Sequence, residues 1–283
     1  MSELPCSVES LHIHPVKSCA GIAVQRSLLV ETGLDLDRAW MLVDAQGLFV
    51  TQRELPRLAL VQPALRGDEI LLRAPGMLGL HLAVDRAESP RRVQVWDDWV
   101  PAWDMGDLAA QWFSDFSGQA LRLVRFDPEH RRLSEQRWTV PHTGQTAFAD
   151  GFALLVVSSA SLAELNRRLA LLGMAPVDLR RFRPNLVLDG LQPHDEDHVE
   201  WLEIDTAQGT ARLKLVKPCT RCSIPGVDPD TGTQGFELVD ALASYRRDAR
   251  VDGAATFGMN AIVVDGAGFE LQTGQACRAQ LAF

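Results

Sequence analysis

The sequence predicts a mainly β protein with some α-helix, built as barrel-like modules rather than as a doubly wound sheet. Two observations carry that reading. The first hundred residues are short alternating or β-branched runs separated by turn-like tetrapeptides such as DAQG, RGDE and APGM. The second half adds further strand patterns with only a few helical ones, and neither half shows the regular strand and helix alternation of a parallel sheet.

Taken in order, SVESLHIH, VQRSLLVE, AWMLVDAQGLFVT, LALVQPAL, EILLRA, LGLHLAV and RRVQVW read as strands. The polar, glycine-containing residues 31–38 enter the apolar residues 39–43, which places Arg38 at the start of a strand. DMGDLAAQWFSDFSG then reads as a helix ending at Gly118, with Leu108, Trp112 and Phe116 spaced to cover one face. Residues 127–147 are polar and read as a linker or a site loop, between a first domain at 1–120 and a second at 121–283. FALLVV at 152–157 is a buried-strand pattern that runs into a helix with apolar positions Leu162, Leu165, Leu169 and Leu172. Ser161 and Glu164 have the spacing of a capping box, with Ser158 and Ser159 as alternative caps, and the free N–H groups of such a helix start can hold an anion. Strands are predicted at 185–189, 199–204, 211–216, 260–264 and 268–271, and a helix at 236–247.

At 283 residues and 46% hydrophobic content the chain can fill a substantial core, which argues against disorder. Its 28 Lys and Arg against 37 Asp and Glu give a net charge of −9, which argues against a nucleic-acid partner because phosphate neutralisation calls for a basic surface. No apolar run approaches the roughly 20 residues that span a bilayer. The N-terminus also lacks the basic run and apolar core of an export signal, so no membrane partner and a cytoplasmic location are expected. Five cysteines are an odd count without the density of a disulfide scaffold.

Lys217-Pro218-Cys219-Thr220-Arg221-Cys222 is the most reactive-looking cluster. Its CxxC spacing alone leaves open a redox disulfide, half of a zinc site, a single-cysteine cofactor role or two structural thiols. His14-Pro-Val-Lys17-Ser18-Cys19 sets an ammonium beside a hydroxyl at a sharp turn, and Arg180-Arg181-Phe182-Arg183-Pro184-Asn185 offers guanidinium and amide groups on entry to a strand. Both suit an anionic ligand, and read singly both also suit a hairpin edge or a solvated loop. His12 and His14 share a strand face, and Asp195-Glu196-Asp197 reads as a cation site or a charged turn. No Gly-x-Gly-x-x-Gly, Walker, Gly-x-Ser-x-Gly or His-Glu-x-x-His pattern is present.

In order along the chain, HPVKSC, LDRAWMLVD, TQRELPRL, FADGFALLVVSSASLAELN, RFRPNLVLDG, KPCTRCSIPGVDPDTG and LASYRR together resemble the molybdenum-cofactor-binding MOSC family, in the form preceded by a MOSC N-terminal β-barrel domain. Within it the chain is similar to the YcbX-like and mitochondrial amidoxime-reducing-component-like groups. The resemblance implies an N-terminal MOSC β-barrel followed by a MOSC-type barrel with peripheral helices. It also implies a pterin-dithiolene molybdenum cofactor (molybdenum-molybdopterin) and an oxidoreductase that reduces N-hydroxylated compounds such as hydroxylamines or amidoximes. By the same resemblance Cys222 is the catalytic thiolate that ligates the metal, and Lys17, Ser18, Arg38, Ser158, Arg183, Asn185, Thr220 and Arg221 contact the cofactor. Electrons are expected from a separate protein, such as a ferredoxin-like one, because no ferredoxin extension follows FELQTGQACRAQLAF. The competing reading is a cofactor-binding or sulfur-carrier module, since MOSC domains also end molybdenum-cofactor sulfurases. Two elements depart from the family pattern: Met259 in Phe-Gly-Met-Asn at 257–260, and Ser-Ile-Pro-Gly at 223–226.

Overall fold

Residues 3–86 and 88–282 are described by the computed structural model. The chain up to Phe126, its first segment, gives β1 (Glu3–Ile13), β2 (Ile22–Val24), β3 (Arg26–Val30), β4 (Gly33–Leu34), β5 (Trp40–Val43), β6 (Gln62–Arg66), β7 (Glu69–Arg73), β8 (Leu80–Ala83), β9 (Ser89–Val95) and β10 (Asp98–Asp104). Helix α1 (Asp107–Ser117) and β11 (Arg122–Phe126) complete it, and α2 (Gln136–Thr139) lies in the connection. The second segment gives β12 (Leu154–Ser158), α3 (Ser159–Leu171), β13 (Leu186–Asp189), β14 (Val199–Thr206), β15 (Gly209–Thr220), α4 (Glu237–Ala243), β16 (Arg247–Asp248), β17 (Ala254–Asp265), β18 (Glu270–Gln272) and β19 (Ala276–Leu281).

The largest sheet runs β12-β13-β1-β19-β14-β15-β17, and β17 pairs back onto β12. Those seven strands close a barrel, which removes the unpaired edges that an open sheet would expose. Alternation in sequence explains which faces turn inward: Ala211, Leu213 and Leu215 of β15 are buried while the residues between them are not. They join Val8, Leu11, Leu186, Leu188, Leu202, Ile204 and Ala279 in one apolar core. Only β12 and β13 are parallel, so the connection between them crosses over the sheet through α3. The expected division at 120/121 does not follow the sheets. β1 is hydrogen-bonded between β13 and β19, so the first strand of the chain is a stave of the second barrel.

A four-stranded sheet, β5-β11-β10-β9, and a three-stranded sheet, β6-β7-β8, form most of the first module, while β3 and β4 make a small sheet with β18. Helix α1 covers a core containing Trp40, Leu58, Ile70, Leu82, Phe113 and Leu123. Gly118 ends α1 in the left-handed conformation, its N–H donating to Ser114 O at 2.8 Å. The buried stripe is Ala109, Trp112, Phe113 and Phe116, an i, i+3, i+4, i+7 set, and Leu108 is 66% exposed, so the predicted face is rotated by about one residue.

Other differences arise at element ends. Ser158 caps α3, accepting from Ala160 N at 3.2 Å, and Leu172 lies beyond the last turn, exposed. Helix α4 stops at Ala243 instead of 247, because Arg247 and Asp248 pair with β17. Among the described residues no helix is long and apolar enough to cross a membrane.

Candidate cofactor site

A cavity of about 730 Å³ is lined by both segments of the chain. It gathers Lys17, Ser18 and Arg38 from the turns around β1 and β5, Arg183 and Asn185 at the start of β13, and Thr220, Arg221 and Cys222 at the end of β15. Ser158 is the predicted residue that does not line it. Its hydroxyl caps α3 from a fully buried position. The place expected for an anion at that helix start is taken by the protein's own carboxyl group: buried Glu196 accepts from Ser158 N at 3.2 Å and from Ser161 Oγ at 2.8 Å. The 195–197 cluster is thus a charged turn engaged with its own chain, Asp197 pairing with Arg246.

Four non-glycine residues of the lining, Ser18, Arg38, Trp96 and Arg183, hold positive φ angles of 69°, 50°, 54° and 59°. Such angles cost side-chain-bearing residues about 1 kcal/mol or more each, and their concentration here marks the cavity as the strained region of the fold. The strain aims guanidinium groups across the module boundary. Arg38 Nη1 donates to Asn185 Oδ1 and its Nη2 to Arg183 O, both at 3.0 Å, while Asp37 pairs with it from behind. Asn185 is committed to this brace, its Oδ1 also accepting from Leu155 N at 3.1 Å and its Nδ2 donating to His12 O at 3.1 Å. Asn185 therefore positions Arg38, β1 and β12 together.

Arg183 donates through Nη1 to Cys19 O, and its Nη2 is buried with no protein partner. Burial, with Arg38 adding to it, draws this guanidinium down to about 10, so the site holds a positive charge that lacks a counterion. Arg221 spends its guanidinium on backbone carbonyls, Phe257 O at 2.6 Å and Phe182 O at 3.1 Å, which pins the loop carrying Cys222. Buried Lys17 donates to Phe148 O at 2.8 Å and pairs with Asp150. Burial lowers the Lys17 ammonium below its ordinary value against the pull of Asp150. Although the Asp150 side chain is 61% exposed, partial desolvation in the cavity acts to raise its carboxyl, and Lys17, Arg53 and the Trp96 indole N–H outweigh that and hold it well below the usual carboxylate range.

The two thiols of the CxxC pair differ. Cys219 is half-buried against the core that packs α3 and α4, and burial pushes its thiol up. Cys222 is exposed, and its Sγ receives an N–H from Arg53 Nη2 at 3.4 Å. Sequence reasoning missed Arg53, Trp96, Asp150 and Arg132 as site residues. Arg53 and Asp150 stood inside quoted motifs, TQRELPRL and FADG, whereas Trp96 and Arg132 carried no local signal. Arg132, buried, ties the 147–150 loop down through Ala147 O at 2.9 Å and Ala149 O at 2.7 Å. Of the two departures, Met259 packs in the barrel core, while Ile224 and Pro225 line the cavity. His14 is buried beside Asp37 and His12 bonds Ser10 Oγ at 3.0 Å; neither lines the cavity.

These groups fit a large anionic molecule that takes one sulfur ligand from the protein. Arg183 of the lining keeps one buried guanidinium nitrogen without a protein partner, and the Cys222 thiol of the lining is exposed. Among the described residues no cluster of three or more His, Cys, Asp or Glu is placed to hold a metal ion.

The MOSC N-terminal beta barrel domain pattern matches residues 6–120, and the MOSC domain pattern residues 143–278. Mitochondrial amidoxime-reducing component 1 of Mus musculus is 37% identical over 250 residues, covering 85% of this chain and 71% of that protein. Mitochondrial amidoxime reducing component 2 of Bos taurus is 35% identical over 250 residues, covering 85% and 72%. Molybdenum cofactor sulfurase of Homo sapiens is 29% identical over 260 residues, covering 86% of this chain but 29% of that protein. The cytoplasmic location expected from the N-terminus is overturned by these names, since the amidoxime-reducing relatives are mitochondrial. The physical reason is that a missing apolar export core says nothing about an organelle address, which is amphipathic and polar.

Proposed function

The chain belongs to the MOSC family, in the form with an N-terminal MOSC β-barrel domain, and from that premise we propose that it is a molybdenum-cofactor-dependent reductase of N-hydroxylated compounds. The observation that carries the reading is the exposed Cys222 thiol in the lining of a cavity that also includes Arg183, one of whose guanidinium nitrogens has no protein partner. The pterin-bound metal supplies two-electron chemistry when present. In the reaction R–NHOH gains two electrons and two protons to give R–NH2 and water, the N–O bond breaking; the electrons come from a separate redox protein.

The residues around the cavity bind and orient. Arg183, with Arg38 braced by Asn185, would neutralise the anionic end of the cofactor, Lys17, Ser18 and Thr220 would hold its polar groups, and Arg221 would meet it with whatever of its guanidinium the carbonyls of Phe257 and Phe182 leave free. Cys222 supplies the sulfur ligand, and the carbonyl bonds of Arg221 keep that sulfur on the cavity rim. Protein purified from a molybdopterin-competent host should carry about one molybdenum per chain and, with reduced viologen as donor, convert a small hydroxylamine or amidoxime to the amine or amidine. C222A should lose both, and C219A should be milder. Unchanged molybdenum in C222A would place the ligand elsewhere.

The similarity to a molybdenum cofactor sulfurase favours a second reading, a cofactor-binding or sulfur-carrier role. Full molybdenum loading and metal reduction without turnover of any N-hydroxylated compound would select it.

A further inference from the structure

Eight lysine and arginine side chains and four carboxylates line the cavity, an excess of four positive charges in a chain whose net charge is −9. Most of these cations have a carboxylate of their own. Lys17 pairs with Asp150, Arg38 with Asp37, Arg132 with Asp98, Arg181 with Asp228 and, at 3.9 Å, Lys217 with Glu135. Arg53, Arg183 and Arg221 have none among the described residues. Arg183 and Arg221 are turned inward onto backbone carbonyls, where they suit the bound cofactor.

Arg53 is different. Its guanidinium carbon lies 4.8 Å from the centroid of the Trp96 ring, and Trp96 Nε1 donates to Asp150 Oδ1 at 3.1 Å, so the indole is held as a platform beneath the charge. One nitrogen reaches Thr51 Oγ1 and another reaches Cys222 Sγ, both at 3.4 Å. A donor-only cation with no carboxylate within ion-pair distance among the described residues is thus placed beside the sulfur, where a reacting molecule must approach. A guanidinium there attracts acceptor oxygens and carboxylates and repels ammonium and amidinium groups.

We infer that Arg53, stacked on Trp96 beside Cys222, selects substrates by charge, admitting neutral and anionic N-hydroxylated compounds and disfavouring cationic ones. This rests on the reductase reading above. It also assigns Arg53 a part in product release. An amidoxime is a weak base and enters neutral, whereas the amidine it becomes is a strong base and leaves as a cation facing this charge.

The test uses three amidoximes of one shape, benzamidoxime itself and its derivatives bearing a ring carboxylate or a ring trimethylammonium group, with the matching benzamides as unreactive probes. On the molybdenum-loaded wild type, kcat/KM for the carboxylate compound should exceed that for the trimethylammonium compound by about tenfold or more, with calorimetric affinities of the benzamides in the same order and the ratio shrinking as salt is raised. R53Q should bring both ratios to within about twofold at equal molybdenum content and melting temperature, while R53K, which keeps the charge, should preserve the ranking. A wild type indifferent to ligand charge, or an R53Q variant that keeps the wild-type ranking, would overturn the assignment. Calorimetric ranking that persists without turnover of any amidoxime would instead remove the reductase reading and leave charge selection by Arg53 in place.

Discussion

Glu196 is fully buried, and its carboxyl is pushed up to about 7, chiefly by burial, with the donors Ser161 Oγ and Ser158 N opposing. Its folded-state value lies above the ordinary 4.5, so the folded protein holds the proton where the unfolded chain releases it. The associated stability is fully present below about pH 4.5 and is lost as pH rises through 7, amounting to at most about 3 kcal/mol. Glu196→Gln keeps an acceptor for the Ser158 N–H and cannot ionise. Denaturant titrations at pH 5 and pH 8 should therefore show wild type losing stability relative to E196Q across that window. Parallel pH profiles would mean that the buried carboxyl is relieved by its hydrogen bonds alone. Arg183 gives a second expectation at the same scale. Arg183→Ala leaves an anionic group of the bound cofactor buried without its partner, a loss of roughly 2–5 kcal/mol. Molybdenum per chain should fall sharply in R183A while the far-ultraviolet spectrum of the protein is unchanged.

Two glycines separate the stability of an element from the shape of the site. Gly118 ends α1 at φ +73°, and a Cβ there would meet nothing within 4 Å. Gly118→Ala should thus cost only the conformational penalty, about 1 kcal/mol, visible as a lower melting temperature with full molybdenum content. Gly226 sits in the turn that follows Cys222, and a Cβ there would lie 1.9 Å from the carbonyl oxygen of Gly235. Backbone cannot yield as a flexible side chain can, so Gly226→Ala must displace the loop that carries Ile224 and Pro225 along the cavity wall. Molybdenum content should drop in G226A by more than its melting temperature predicts, and retention of full occupancy would show that this turn does not shape the site. Element ends were the least legible feature of the sequence for a related reason. The 236–247 pattern is helical in spacing, but the strand pairing of Arg247 and Asp248 with β17 wins over local preference and stops α4 at Ala243.

Across the whole molecule, the clusters around Lys17, Arg38, Arg183 and Cys222 were left open by their residue types alone and were joined only by the ordered motifs that resemble one family; the fold brings them to one cavity. Trp96 and Arg132 were not legible, because each looks like an ordinary turn or loop residue until the loops meet. The role of β1 was hidden as well, since alternation reports a buried face but not which sheet receives it. Its placement dictates how the second barrel folds. Val8, Leu11 and Ile13 of β1 are almost fully buried in the barrel core, and removing each such side chain costs about 2–5 kcal/mol, together comparable with the whole stability of a domain. Omitting β1 also exposes the edges of β13 and β19. A fragment of residues 121–283 should therefore lack a cooperative melt and aggregate, even though it contains the whole of the MOSC domain match. Glu3 pairs with Gln280, so the start of β1 lies beside the end of β19. Residues 1–14 appended after the C-terminus of that fragment through a short glycine-containing loop should restore the closed ring, read as a β-type circular dichroism spectrum and a single thermal transition. If the bare fragment melts cooperatively, or if the appended strand changes nothing, the barrel closes without β1 and the seven-strand ring is not the folding unit.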